Sequence, residues 1–166
     1  MHAPDKPTAA EAALAGRYRR LREQLLELFR KTDDPVARMA TACAVLHHKQ
    51  PHFFWTGFYR LQDGKLVVGP YQGPLACSEL AGPQGVCWAA VTSGASVVVA
   101  DVHAFPGHVA CDSRSQSEIV VPVRDAHGNI VAVLDVDSDR PAAFSDVDRE
   151  GLEAIVALIH APEPRD

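Results

Sequence analysis

The residues with the clearest capacity for chemistry lie in the segment GHVACDSRSQSE, which runs from Gly107 to Glu118 and leads into the apolar run IVVPV. Its single cysteine, Cys111, has His108 three residues before it and Arg114 three residues after it. Cationic neighbours of this kind stabilise a thiolate, which is the nucleophilic form of cysteine. The segment therefore makes Cys111 a candidate nucleophile, and the alternative is an inert cysteine in a polar loop.

Two further cysteines, Cys77 and Cys87, occur in GPLACSELAGPQGVCWAA, a stretch rich in Gly and Pro. A thiol that resolves a sulfenic acid has to approach it, and mobile segments permit that approach. The three cysteines together favour redox chemistry, although each alone could be a small buried residue. Cys43 differs because it falls on the apolar face of a predicted helix, so we expect it in the core.

Three acidic residues adjoin apolar strands and could line a binding pocket. Asp135 and Asp137 are two residues apart in VLDVDS, so a strand would carry both on one face, roughly 7 Å apart. That pair could bind an ammonium group, or it could be a solvated strand end. Glu118 starts a strand from which it could face the same pocket, where burial would raise its pKa and let it donate a proton. Trp55 is more typical of a core than of a site, but it could supply an aromatic wall.

The spacing of the potential ligands does not support a metal site. Asp101, His103, His108 and Cys111 match no structural zinc pattern, and the four cysteines contain no CxxC pair. We therefore predict no metal site.

Length and charge restrict the class of protein. The 166 residues suit one compact domain that buries roughly 70% of its unfolded surface. A net charge of −5 with no basic run beyond RYRRLR argues against nucleic-acid binding. No apolar run reaches the roughly 18 residues of a membrane span, and the first residues lack the features of a signal peptide. We expect a cytoplasmic protein without membrane contact, in which thiols stay reduced unless a disulfide is catalytic.

Hydrophobic spacing predicts the elements that position these residues. Helical spacing begins at Tyr18, after Asp33 or Asp34, and after Ser145, and a short hairpin turns at Asp63-Gly64. Further elements are a short helix over 86–92 and strands over 96–101, 118–125 and 129–138. This order predicts an α+β domain with helices on one face of a mostly antiparallel sheet. We expect a flexible lead-in over 1–16, the domain over 17–160 and a tail over 161–166.

Several motifs together resemble a known family. The segments WTGFYR, GPYQGPLACSEL, GVCWAA, VADVHAFPGHVACDSRSQSEIVVPV, VLDVDS and FSDVDREGL have the order and spacing of the free methionine-(R)-sulfoxide reductases, enzymes built on a GAF domain. The resemblance covers roughly residues 18–159. It implies a six-stranded antiparallel sheet with helices packed on one face and a ligand pocket on the other.

The resemblance also implies an activity and a role for each candidate residue. Cys111 matches the attacking cysteine, and Cys77 and Cys87 match the two that take part in disulfide recycling. The pocket residues of the family match Trp55, Glu118, Asp135 and Asp137. The implied reaction converts free L-methionine-(R)-sulfoxide to L-methionine through a sulfenic acid and an intramolecular disulfide, which thioredoxin reduces without a cofactor. The family usually has Gly where this chain has Trp88, and a bulky ring there could alter the mobility of Cys87.

Two alternative functions, both without catalysis, remain open. A GAF domain can be a ligand sensor that uses its pocket without chemistry, or a redox sensor whose cysteines report oxidation. The helix that begins at Tyr18 is a candidate surface for a homodimer, since GAF domains often pair through helices of this kind.

Overall fold

Four α-helices and six strands make up the described part of the molecule, residues 6–108 and 111–162 of a computed structural model. The helices are α1 (Ala9–Phe29), α2 (Pro35–Lys49), α3 (Val86–Ser93) and α4 (Asp146–Val156). The strands are β1 (Trp55–Gln62), β2 (Lys65–Gln72), β3 (Glu79–Leu80), β4 (Val97–Val99), β5 (Ser117–Arg124) and β6 (Ile130–Ser138). A 3-10 turn, Val102–Ala104, lies between β4 and β5. None of the described helices is long and apolar enough to cross a membrane.

The strands form one antiparallel sheet in the order β3-β2-β1-β6-β5-β4. The predicted α+β class and six-stranded sheet are therefore confirmed. Asp63 and Gly64 join β1 to β2 with φ values of 49° and 75°, which is the backbone that a tight two-residue hairpin requires. The two-residue strand β3 was not predicted, because so short a strand leaves no alternating pattern in the sequence.

Side chains fix the starts of α2 and α4 as the sequence predicted. The Asp34 carboxylate accepts from the Ala37 N–H at 2.8 Å, and Pro35 occupies the first turn of α2. The Ser145 N–H donates to the Asp148 carboxylate at 2.8 Å in a capping box at the start of α4.

Helix α1 starts earlier than the sequence analysis placed it. The Thr8 N–H donates to the Glu11 carboxylate at 2.7 Å, and the Glu11 N–H donates to the Thr8 hydroxyl at 3.2 Å. This capping box begins the helix at Ala9, so residues 9–16 are helical where a flexible lead-in was expected. Residues 1–5 of that lead-in and 163–166 of the expected tail lie outside the described residues.

The two faces of the sheet carry different elements. Helices α1, α2 and α4 cover one face, where fully buried residues such as Leu25, Leu46 and Leu152 meet the strands. Cys43 is buried in this core and its thiol donates to the Pro70 carbonyl at 3.2 Å, which confirms its predicted place. Helix α3 lies on the opposite face. There it forms one wall of a pocket.

Candidate active site

The register of four strands brings distant residues into one row. Trp55 on β1 lies opposite Asp137 on β6, which lies opposite Glu118 on β5, and Glu118 lies opposite Val99 on β4. Directly paired residues of neighbouring strands point to the same face of a sheet. Asp135 is two residues from Asp137 on the same strand and therefore shares that face.

These side chains line a single pocket on the face opposite α1, α2 and α4. All the predicted site residues except Cys77 line it, namely Trp55, Cys87, Cys111, Glu118, Asp135 and Asp137. The predicted single-face arrangement of the two aspartates and the shared pocket of Glu118 are both present in the structure. Their roles in a reaction stay predictions.

The Trp55 ring forms an aromatic wall because Gly57 leaves room for it. The ring stacks between Tyr59 and Tyr71, with centroid separations of 5.8 and 5.4 Å, and its N–H donates to the Pro74 carbonyl at 3.1 Å. A Cβ atom at Gly57 would overlap this ring. The sequence analysis missed Gly57, although a glycine inside a strand often marks such a close approach.

A disulfide joins Cys77 to Cys111 beside the pocket, with a Cα–Cα separation of 5.7 Å. Cys111 is exposed and Cys77 is half-buried, whereas the free cysteines Cys43 and Cys87 are buried. The structure therefore corresponds to the oxidised form of this pair, and solvent reaches both cysteines, Cys111 more than Cys77.

The basic residues near Cys111 in sequence lie against acidic side chains. The Arg114 guanidinium is 2.7 Å from the Asp112 carboxylate and lies over the Phe54 ring at 4.7 Å, and it does not line the pocket. The Asp112 carboxylate also accepts a hydrogen bond from the Arg114 backbone N–H at 2.9 Å. His108 does line the pocket, but its Nδ1 lies 3.9 Å from the Glu118 carboxylate and burial lowers its pKa. Sequence spacing alone did not reveal these competing partners.

Burial raises the pKa of all three pocket acids. For Glu118 the charges of Asp135 and Asp137 raise the pKa further, and for Asp137 the charge of Asp135 does so. For Asp135, the nearby Glu118 carboxyl group and Cys87 thiol partly offset the effect of burial on the pKa. No Lys or Arg is among the described residues that line the pocket. The acids therefore retain protons more readily than usual, and the cationic group of a bound ligand would stabilise their charged form.

Cys87 lies at the wall of the pocket, in the first turn of α3. Its sulfur and carboxylate oxygens of Glu118 and Asp135 all lie within 4.8 Å of one another. Burial raises the pKa of the Cys87 thiol, and the charge of Asp135 raises it further. Trp88 points away from this pocket, because its indole N–H donates to the Leu80 carbonyl at 3.0 Å and its ring lies against Gly82.

Comparisons with known proteins agree with this geometry. Residues 53–161 match the GAF domain family. The free methionine-R-sulfoxide reductase of Escherichia coli is 42% identical over 124 residues, which are 75% of this chain and 74% of that protein. This chain belongs to the free methionine-R-sulfoxide reductase group of the GAF domain family.

Solved structures place this GAF domain beside the same group. The free methionine-R-sulfoxide reductase of Neisseria meningitidis, solved with its substrate, has a TM-score of 0.84 at 38% identity, over 96% of this chain and 94% of that chain. The reduced form of fRMsr of Staphylococcus aureus has a TM-score of 0.82 at 38% identity, over 96% and 97% of the two chains. Both likenesses extend over nearly the whole of each chain.

Proposed function

We propose that this GAF domain is a reductase that converts free L-methionine-(R)-sulfoxide to L-methionine. One observation carries the proposal: the Cys77–Cys111 disulfide lies beside a pocket lined by three acids of raised pKa. A two-electron reduction of a small zwitterion needs a thiol, a proton donor and a carboxylate for the ammonium group. The named activity of the related reductases supports the same reaction.

The first step uses the reduced form of Cys111. Its thiolate attacks the sulfoxide sulfur while an acid protonates the sulfoxide oxygen, so a bond forms between the Cys111 sulfur and the substrate sulfur. The hydroxyl oxygen then moves from the substrate sulfur to the Cys111 sulfur as the sulfur–sulfur bond breaks. Methionine leaves and Cys111 becomes a sulfenic acid, so the cysteine sulfur loses the two electrons that the substrate sulfur gains. Glu118 is our first choice for the acid because burial and two neighbouring carboxylates raise its pKa, and Asp137 is the second.

Cys77 is the proposed resolving cysteine. Its thiol condenses with the sulfenic acid on Cys111, releasing water and forming the disulfide that the structure contains. Cys87 is less suited to this step, because it is buried and its thiol has a raised pKa. A dithiol such as thioredoxin then reduces the disulfide by exchange, in a cytoplasm that keeps the protein's thiols reduced.

Asp135 and Asp137 are the proposed partners of the substrate ammonium group. The Asp135 Oδ1 atom is buried and has no hydrogen-bond partner within residues 6–108 and 111–162. A buried acceptor without a partner is costly, and an ammonium N–H would satisfy it. Trp55 would contact the methyl-sulfur end. A pocket that encloses the ammonium group excludes a methionine sulfoxide whose nitrogen is in a peptide bond.

Consumption of NADPH in a coupled assay with thioredoxin and thioredoxin reductase tests the proposal. The substrates are free L-methionine-R-sulfoxide, its S epimer, and the R-sulfoxide within a peptide, and Cys43→Ser is the control for loss of an unrelated thiol. We expect turnover with the free R epimer alone, in wild type and control. Absence of turnover with all three, in folded and reduced protein, would favour a sensor that binds without reacting.

We also propose that the chain can form a homodimer through α1. Light scattering of the purified protein measures its mass in solution and tests this dimer.

A further inference from the structure

Three potential metal ligands converge in the pocket from three different elements. Cys87 belongs to α3, Glu118 to β5 and Asp135 to β6, and one ligand atom from each lies within 4.8 Å of the other two. All three residues are buried. Strand pairing holds the two acids, since Asp137 lies opposite Glu118 and Asp135 opposite Val120. The arrangement is therefore part of the folded sheet and not of a surface loop.

A second observation concerns the partners of this cluster. Asp135 is only 7% exposed, yet its Oδ1 has no hydrogen-bond donor among the residues that the structure describes. Glu118 is 5% exposed, and no Lys or Arg is among the described residues lining the pocket. A buried carboxylate oxygen with no donor is a position that a bound cation would satisfy.

We propose that Cys87, Glu118 and Asp135 bind a borderline divalent cation such as Zn²⁺ when the pocket holds no substrate. A thiolate combined with carboxylates suits Zn²⁺ or Co²⁺, whereas Ca²⁺ and Mg²⁺ prefer sites built of oxygen alone. Zinc bonds of about 2.3 Å to sulfur and about 2.0 to 2.2 Å to carboxylate oxygen require the side chains to rotate slightly inward. His108, whose Nδ1 lies 3.9 Å from the Glu118 carboxylate, or a water completes the coordination.

Such a site would be inhibitory and not catalytic. The ion would use Asp135, which we propose as a partner of the substrate ammonium group, so the ion and the substrate would compete. Binding would also release protons from the Cys87 thiol and the Glu118 carboxyl group, since ligands of Zn²⁺ must be deprotonated. The competition rests on the proposed function, but the binding of the ion does not.

Cobalt titration of the oxidised protein tests the binding directly. With Cys77 and Cys111 joined, the free thiols are Cys43 and Cys87. We expect Co²⁺ to give a near-ultraviolet thiolate-to-cobalt absorption band that saturates at one ion per chain and that Zn²⁺ abolishes. Cys43→Ala should keep the band and Cys87→Ala should lose it. A band that persists in Cys87→Ala, or no band in the wild type, would overturn the site.

Variants of the acids guard against a folding defect in Cys87→Ala. Circular dichroism establishes that each variant is folded, and Asp135→Asn should weaken Co²⁺ binding by about tenfold or more. Unchanged Co²⁺ affinity in folded Asp135→Asn would contradict the proposal. In the turnover assay, Zn²⁺ should raise the apparent KM for the sulfoxide without lowering kcat. A protein that binds Co²⁺ through Cys87 but has no turnover would keep the metal site and refute the proposed function.

Discussion

The two faces of the sheet are built from alternate residues of the same strands, but one face forms the core and the other forms the pocket. On β5 and β6 the face toward α1, α2 and α4 carries Ile119, Leu134 and Val136, all of them fully buried. The other face of these strands carries Glu118 and Asp135, which are buried almost as deeply. Apolar burial stabilises the fold, whereas burial of a carboxylate costs free energy. The helix-covered face therefore stabilises the fold, whereas the buried acids of the pocket face lower the free energy of unfolding.

The cysteines divide in the same way. Cys43 lies in the helix-covered core, where burial raises the pKa of its thiol to about 12, so it stays protonated and inert. Cys111 lies at the pocket, is exposed, and forms a disulfide. Exposure at the pocket, and not the pocket face alone, distinguishes Cys111 from Cys43, since Cys87 lies on the pocket face but is buried.

The largest expected effect comes from Cys111→Ser. A serine hydroxyl at this position cannot become the sulfenic acid, so reduction of free L-methionine-(R)-sulfoxide should fall to background in the coupled assay. Cys43→Ser, on the opposite face, is the matched control and should keep near-wild-type kcat. Near-normal turnover by Cys111→Ser would show that another residue is the nucleophile.

On the helix-covered face, Leu25→Ala should affect stability and leave the reaction alone. Leu25 is fully buried, and truncating a buried leucine costs about 2 to 5 kcal/mol of the free energy of unfolding. Urea unfolding measures that loss, and the KM of the folded fraction should not change. A KM that rose together with the loss of stability would mean that the two faces are coupled.

The pocket acids should make the protein less stable as pH rises. Their pKa values are higher in the folded protein than in the unfolded chain, so above about pH 4 the folded state binds more protons. The free energy of unfolding then falls with rising pH until the folded-state pKa values are passed.

Glu118→Gln removes one of these titrating groups. The slope with which the free energy of unfolding decreases with pH should therefore become smaller by up to about 1.4 kcal/mol per pH unit. Urea unfolding at a series of pH values from about pH 4 upward compares wild type with Glu118→Gln. Parallel curves for wild type and Glu118→Gln would contradict the raised pKa of this group.

The smallest effect should come from Trp88→Phe. This change removes the hydrogen bond from the indole N–H to the Leu80 carbonyl but keeps an aromatic ring against Gly82. A lost hydrogen bond of this type costs about 0.5 to 1.5 kcal/mol of unfolding free energy. Because Trp88 does not line the pocket, KM should stay constant, and a clear change in KM would show that Trp88 controls Cys87.

The sequence predicted most of the elements because their signals are local and repeated. The capping residues Asp34 and Ser145 and the hairpin at Asp63-Gly64 each act over a few residues, and all three are present in the structure. The same kind of local signal, the capping box of Thr8 and Glu11, was present for α1 but was not recognised.

Sequence spacing could not predict which of several possible partners each side chain contacts in the folded protein. The sequence showed Arg114 close to Cys111, but it could not show that Asp112 and the Phe54 ring hold its guanidinium. Nor could it place α3 on the pocket face. The acids were placed correctly, because two-residue spacing on a strand fixes the face of each side chain.

The most direct test of the account is a single-turnover reaction of fully reduced protein with free L-methionine-(R)-sulfoxide and no added reductant. We predict one methionine per chain, with peptide mapping that finds the Cys77–Cys111 disulfide and reduced Cys43 and Cys87. Absence of methionine, or a disulfide that includes Cys87, would contradict the assignment of Cys111 and Cys77 as the redox pair.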